Sequence, residues 1–260
     1  MMYNQKTTNK YYGQSVSNLS KGMKSGFGLI IAVTLLHFCS ACNFSQAKPS
    51  AQQPPAAVPI NVEISGTISH DTHTPGQSGT VTFDRFPATV AEFKEVREKI
   101  GGEPHGAIAL QIMAFEMYRR DKKIGEECIR LNAVNNTVVS SMVRLNELFG
   151  NDAYYARPYQ LAAFLKGATP ENGYNPTKPY TVEVRVSTTS YQESSIFQTK
   201  VLYFDILTKG RKSGVIGVSV LKTFKPDEAS QGKYFIIFSS ADLYFQAEPI
   251  SFTSTFNGLN

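Results

Sequence analysis

The sequence is poor in histidine and cysteine, on which much nucleophilic and metal chemistry depends. It contains four histidines and three cysteines among 260 residues. It also has no P-loop, no dinucleotide-binding fingerprint, no thioredoxin-type cysteine pair and no visible internal repeat. These absences disfavour many common enzyme classes. They do not exclude an enzyme that works through carboxylates alone.

The excess of positive charge lies at the N-terminal end of the chain. The whole sequence has 26 Lys and Arg residues against 21 Asp and Glu residues. Residues 1–41 hold Lys6, Lys10, Lys21 and Lys24 and no acidic residue, so the rest of the chain is nearly neutral. This distribution removes the main compositional support for binding nucleic acid.

The N-terminal region has the three parts of a secretory signal peptide. Lys21 and Lys24 precede the apolar run of residues 26–38, and small residues follow that run. A membrane-spanning helix needs about 20 apolar residues, so this run is too short for one. We therefore predict that residues 1–41 are a signal peptide. Translation could begin at Met23, or the leader could be unusually long.

Ser40-Ala41-Cys42 resembles a bacterial lipobox, although Cys39 occupies the position where the usual pattern has leucine. The resemblance implies cleavage before Cys42 and a lipid on its sulfur atom, which would anchor the protein to a membrane. Asn43 is not the aspartate of inner-membrane retention, which favours the outer membrane and a periplasm-facing position. Two alternatives are ordinary cleavage after Cys39-Ser40-Ala41, which would give a soluble secreted protein, and an uncleaved anchor.

The mature chain is predicted to fold as a single α+β domain behind a spacer. Residues 42–58 are rich in Pro, Ala, Gln and Ser, a composition typical of a disordered linker. Within the globular part, residues 59–260, apolar periodicity predicts about five helices over 89–167 and antiparallel strands over 180–246. Two short strands before the helices could join the same sheet. We therefore expect a helical layer packed on an antiparallel β-sheet.

Several element boundaries can also be predicted. Thr89–Glu92 has the spacing of a capping box that begins a helix. The stretch 107–118 is apolar on most faces, which indicates a buried central helix. Pro158 can begin a fifth helix that ends at Gly167. Tyr234–Phe238 is continuously apolar and predicts a strand.

Three parts of the globular region are similar to an uncharacterised bacterial domain family found in exported proteins. They are the run Phe93–Leu165, the turn Gly173–Pro176 with Pro179-Tyr180, and Phe238–Leu243. The resemblance implies an intact domain. It supplies no catalytic or binding residue.

The segment His70–His73 contains a candidate metal site. His70, Asp71 and His73 offer three donor side chains within four residues, which could bind zinc or copper. The alternative is a solvated loop between two strands, because no helix holds the pair of histidines in place and no further ligand is evident.

Tyrosines concentrate in the loops that follow the helical block. Tyr154, Tyr155, Tyr159 and Tyr174 could line a surface that binds a sugar or a protein, because a tyrosine brings a large contact area with few rotatable bonds. The alternative is packing at the edge of the core, with the hydroxyl in water.

Other polar groups have both a chemical and a structural interpretation. Cys128 with His105 could form a nucleophilic pair, or both could be packing residues. The turn 210–214, which contains Arg211, Lys212 and Ser213, could hold a phosphate or a sulfate, or it could be a hairpin turn with exposed charge. Asp242, after Ser239-Ser240, could belong to a catalytic cluster or to a strand end.

The sequence thus favours a membrane-anchored, non-catalytic binding or interaction module of the cell envelope. Its ligand would be an envelope protein or a glycan, and no cofactor is expected. One alternative is an envelope hydrolase or metal-dependent enzyme, which clustering of Asp84, Glu171, Asp205 or Asp242 in one cleft would support. Another is a structural envelope lipoprotein.

Overall fold

The computed structural model of the chain describes most of the globular part. The described ranges are 58–69, 72–149, 157–189, 192–195, 198–223, 232–237 and 241–259. All of them lie in one compact unit, Pro55–Asn260. The predicted signal peptide, Cys42 and nearly all of the spacer lie outside the described residues. No helix within the described ranges is both long enough and apolar enough to cross a membrane.

The described strands form one antiparallel sheet. They are β1 (Val62–Gly66), β2 (Ser78–Phe83), β3 (Tyr180–Val186), β4 (Gln192–Ser194), β5 (Thr199–Leu207), β6 (Val215–Thr223) and β7 (Phe235–Ile236). Their spatial order is β1-β2-β3-β5-β6-β7, and β4 pairs with β5. The two N-terminal strands therefore join the sheet, because β2 pairs with β3 along its whole length.

Four α-helices in the described part of the chain accompany the sheet, which confirms the α+β class. They are α1 (Val90–Ile100), α2 (Pro104–Arg120), α3 (Lys122–Asn132) and α4 (Asn135–Phe149). Nearly every side chain of α2 is buried, as expected of a helix with apolar residues on most faces. This helix contacts α1, α3 and α4 as well as β2, β6 and β7, so it is the centre of the core.

The prediction of a fifth helix over 158–167 is wrong. The chain forms turns there and a single short 3₁₀ helix, Ala162–Phe164. Every residue from Leu161 to Leu165 is buried, so this segment has no solvent-facing side of the kind an amphipathic helix presents. Its backbone also bonds outside the segment, since the amide of Lys166 donates to the carbonyl oxygen of Thr181 at 2.8 Å.

The strand predicted over Tyr234–Phe238 is shorter in the structure. Within the described residues 232–237, Phe235 and Ile236 are the two that pair with β6, and Phe238 lies outside the described residues. The amide of Tyr234 donates instead to the carbonyl oxygen of Gly101, at the end of α1. Beyond β7, the chain forms a 3₁₀ helix, Ala241–Tyr244, which packs against β6 and α4.

The final segment, residues 245–259, is fastened to the domain at several points. The hydroxyl of Tyr174 donates to the carbonyl oxygen of Glu248 at 2.7 Å. Gly173 has a φ of +69°, and a Cβ there would collide with the carbonyl group of Thr255. Arg120 on α2 donates to the carbonyl oxygen of Leu259 at 2.6 Å. The segment therefore closes over the loop before β3.

Residues alternate along β5 between two environments. Leu202, Phe204 and Ile206 are buried against the helices, whereas Tyr203 and Asp205 are partly exposed. Successive side chains of a strand point to opposite faces of the sheet. We call the face that carries Tyr203 and Asp205 the outer face.

Candidate functional site

A groove crosses the outer face of the sheet, beside the end of β3 and over the middle of β5 and β6. It has a volume of about 370 Å³ and is open to solvent. We call it the sheet-face groove. Its lining residues are Ser187, Thr189, Tyr203, Phe204, Gly217, Val218, Ser219 and Asp242.

Strand register explains why these residues meet. Tyr203 pairs with Ser219, and Asp205 pairs with Gly217 in the next outward-facing row. Directly opposed residues project from the same face of a sheet, so these four lie on the outer face. The amide of Ser187 donates to the carbonyl oxygen of Tyr203 at 3.0 Å, which brings the end of β3 beside them.

Two ion pairs border the sheet-face groove. Arg185 donates to Asp205 at 3.2 Å, and the two residues are also opposed across β3 and β5. Arg211 donates to Oδ2 of Asp242 at 3.0 Å. The same Oδ2 lies 3.4 Å from the position that a Cβ on Gly217 would occupy. Two carboxylates therefore lie beside Gly217, each paired with an arginine, and the four charges cancel.

The rim of the sheet-face groove is held by the loop that contains His73. Nε2 of His73 lies 2.8 Å from the carbonyl oxygen of Ser187. Because a carbonyl oxygen only accepts, Nε2 carries the proton and donates. The hydroxyl of Ser187 in turn accepts from the amide of Thr189 at 3.3 Å. These bonds fix the backbone on one side of the groove.

The structure gives His73 this structural contact, and its Nε2 is therefore not a free metal ligand. His70 and Asp71, the other two members of the predicted metal site, lie outside the described residues. Within the described ranges, no group of three or more His, Cys, Asp or Glu side chains is placed to hold a metal ion. The metal site predicted at residues 70–73 stays a prediction.

Of the four tyrosines predicted to bind a ligand, two are described. Tyr174 is fully buried, and its ring stacks on that of Tyr159 with 4.9 Å between the centroids. Burial raises the pKa of Tyr174 above its usual value. Tyr159 also contacts Phe256 of the final segment. These two rings therefore hold the final segment in place, and Tyr154 and Tyr155 lie outside the described residues.

The proposed nucleophilic pair has the properties of packing residues. Cys128 is fully buried in α3, and burial raises the pKa of its thiol to about 12. A thiol that stays protonated is a poor nucleophile. His105 is also buried, and its ring lies against Gly79 of β2.

The four candidate carboxylates are divided among different surroundings. Asp84 accepts from the side chain of Asn61 at 2.9 Å beside β1, and Glu171 lies in the 3₁₀ turn Pro170–Asn172. Asp205 and Asp242 are the two that lie beside the same residue, Gly217. Each of these two already forms an ion pair with an arginine.

Sequence reasoning considered the turn that contains Arg211 and the cluster that contains Asp242 separately, and the structure joins these two residues by an ion pair. It did not single out Ser187, Tyr203 or Gly217. The available signal was Gly217 itself, a glycine within the strand-like run Val215–Thr223. A glycine inside a strand often marks a close approach by a ligand or another backbone.

The fold is that of an α+β domain with helices on one face of an antiparallel sheet and an open groove on the other. Residues 85–251 match the family model described as a domain of unknown function, DUF6935. This match covers more than half of the chain, so the chain belongs to that family. It includes every residue that lines the sheet-face groove. No curated protein and no solved structure matches the chain.

Proposed function

We propose that this chain is a non-catalytic binding module of the cell envelope. In this proposal a lipid on Cys42 anchors the chain to the membrane, residues 42–58 act as a spacer, and the sheet-face groove binds the ligand. The observation that carries the binding function is the groove itself, an open concave surface on the sheet face that the helices leave uncovered.

The chemistry of the sheet-face groove supports binding rather than catalysis. An acid–base pair of carboxylates needs one carboxyl group held protonated while the other is ionised. Asp205 and Asp242 each form an ion pair with an arginine, so the geometry does not distinguish one of them as the acid and the other as the base. The hydroxyls of Ser187 and Thr189 add donors and acceptors at the rim. This set of groups can recognise a polar ligand without changing it.

The anchor is tested by lipid labelling of the full-length precursor. We expect labelled palmitate to enter the wild-type chain and the chain to sediment with membranes. Cys42→Ala should lose both the label and the membrane association, while Cys39→Ala keeps them. A Cys42→Ala chain that still carries the lipid would contradict the anchor.

The binding site is tested by photocross-linking in intact envelopes. A benzophenone side chain replaces Tyr203 in the sheet-face groove or, as a matched control, Thr82 on the outer face of β2. We expect a saturable adduct from position 203 and none from position 82. Equal labelling from both positions, or no adduct from position 203, would contradict the assignment of the groove.

A further inference from the structure

Gly217 is the one glycine of the described strands that neither backbone conformation nor close packing requires. The described strands contain three glycines, Gly66, Gly79 and Gly217. Gly66 has a φ of +89°, which side chains rarely adopt, and a Cβ on Gly79 would lie 2.8 Å from the ring of His105. Gly217 has no such φ, and a Cβ there would make one ordinary contact, 3.4 Å from Asp242.

An alanine would therefore fit at position 217. Glycine is nevertheless a poor residue for a strand interior, because it loses the most backbone entropy and offers no side chain to pack. Gly217 also lies in the middle of β6 and pairs with Asp205. Its lack of a side chain leaves a flat patch of backbone at the bottom of the sheet-face groove.

We propose that Gly217 is the floor of a subsite for an uncharged carbohydrate ring. This proposal rests on the sheet-face groove being a binding site. A sugar ring has a flat face of C–H groups and a rim of hydroxyls. The flat face would lie on the backbone at Gly217 and against Tyr203, which is in the neighbouring row of the same face.

The rim of the groove provides partners for hydroxyl groups. A hydroxyl both donates and accepts, so adjacent hydroxyls pair well with a site that alternates carboxylates and guanidinium groups. Asp242 and Arg211 form such a unit, and their side chains are 52% and 39% exposed. Both can therefore turn to a ligand without leaving a buried charge unpaired.

The charges of the groove also distinguish between classes of ligand. The pairs Arg185–Asp205 and Arg211–Asp242 cancel, and a polyanion would meet two carboxylates beside the floor. A peptide bound by strand addition needs a free sheet edge. Along β6, β5 pairs with every residue on one side, and β7 pairs with Val220 and Leu221 on the other, so an added strand could pair with at most residues 215–219. An uncharged carbohydrate fits these restrictions.

The test compares Gly217→Val with Gly217→Ala in the full chain purified in detergent. The probes are the neutral tetrasaccharides chitotetraose, cellotetraose and maltotetraose, with polygalacturonate as an anionic comparison. Saturation-transfer NMR detects binding, and calorimetry gives the Kd. We expect at least one neutral tetrasaccharide to bind, Gly217→Val to weaken it at least tenfold, and Gly217→Ala to weaken it less.

Melting temperature separates loss of the floor from loss of the fold. Valine is a good strand residue, and its Cβ at position 217 would make one ordinary contact, with the exposed carboxylate of Asp242, so Gly217→Val should melt no lower than the wild type. Gly79→Val is the matched control, and it should melt lower because its side chain would clash with His105. Asp242→Asn serves as a second variant and should also weaken the sugar without lowering the melting temperature.

The carbohydrate proposal and the binding module can fail separately. If no neutral tetrasaccharide binds, or if Gly217→Val leaves the Kd unchanged, the carbohydrate subsite is overturned. If position 203 then still cross-links to an envelope protein, the binding module is kept with a protein ligand. If position 203 gives no adduct either, both proposals fall.

Discussion

Replacing Arg97 by methionine should stabilise the protein. Arg97 lies on α1, and its side chain is 7% exposed. Among the described residues, neither Nε nor Nη2 of its guanidinium has a hydrogen-bond partner. Burial accordingly lowers the pKa of Arg97 from its usual value. A buried guanidinium whose donors are left without hydrogen bonds costs several kcal/mol of folding free energy.

One favourable contact offsets part of this cost. The guanidinium lies 5.0 Å from the centroid of the Phe235 ring, and a desolvated cation–π contact contributes up to about 2 kcal/mol. Methionine keeps an unbranched apolar side chain on the buried face and has similar helix propensity. The difference between the two effects gives an expected gain of about 1–2 kcal/mol in the free energy of unfolding.

Urea unfolding followed by circular dichroism measures this difference. A gain of 1–2 kcal/mol corresponds to a rise of about 2–8 °C in Tm for a domain of this size. Arg130→Met is the matched control, because Arg130 is 57% exposed in an i,i+4 pair with Glu126 and should change stability by less than about 0.5 kcal/mol.

A loss of stability would refute the reasoning. If Arg97→Met unfolds at lower urea than the wild type, the contact with Phe235 outweighs the missing hydrogen bonds. Arg97→Lys helps to identify the reason, because it keeps the charge but loses the planar group that stacks on the ring.

Three further predictions concern buried groups. Glu116→Gln should lower the free energy of unfolding by about 2–4 kcal/mol, because it removes a fully buried carboxylate that pairs with two arginines. Urea titration measures this loss, and a change below about 0.5 kcal/mol would contradict the prediction. Gly173→Ala should lower the free energy of unfolding by at least about 1–2 kcal/mol, because Gly173 has a positive φ. It should also speed tryptic cleavage of the final segment. Unchanged cleavage would show that the close approach of Gly173 to Thr255 does not hold that segment. The third prediction uses a chain whose other cysteines are replaced by serine. Cys128 should react with a thiol reagent at pH 8 only as fast as the protein unfolds, because burial raises the pKa of its thiol to about 12. Fast reaction with the folded chain would disprove its burial.

The elements that could be predicted are those whose signal is local. Thr89 accepts from the amide of Glu92 at 3.2 Å and begins α1, as the capping-box spacing predicted. The other half of the box did not form as expected, because the carboxylate of Glu92 pairs with Arg85 and with the amide of Ala88. Burial of α2 likewise followed from its own composition.

The groove could not be predicted, because its residues come together only through strand register. Tyr203 and Ser219 are opposed across β5 and β6, and a shift of one residue would turn Tyr203 toward the core. Arg211 and Asp242 are 31 residues apart in sequence, and their contact depends on the 3₁₀ helix after β7. The prediction of a fifth helix was wrong for a related reason. The amide of Lys166 donates to Thr181 of β3 and not to a carbonyl oxygen of the preceding helical turn.

The alternation along β5 separates the residues that pack the core from those of the proposed binding surface. Phe204 is buried in the core, and its neighbour Tyr203 lines the sheet-face groove. A change of Tyr203 or Gly217 therefore alters the groove with little effect on packing against the helices. Members of the same domain family could share this core and bind different ligands, because a fold does not fix the chemistry of a surface built on it. The ligand proposed for this chain must therefore be argued from its own groove residues, above all from Gly217, which neither its φ nor a close contact explains.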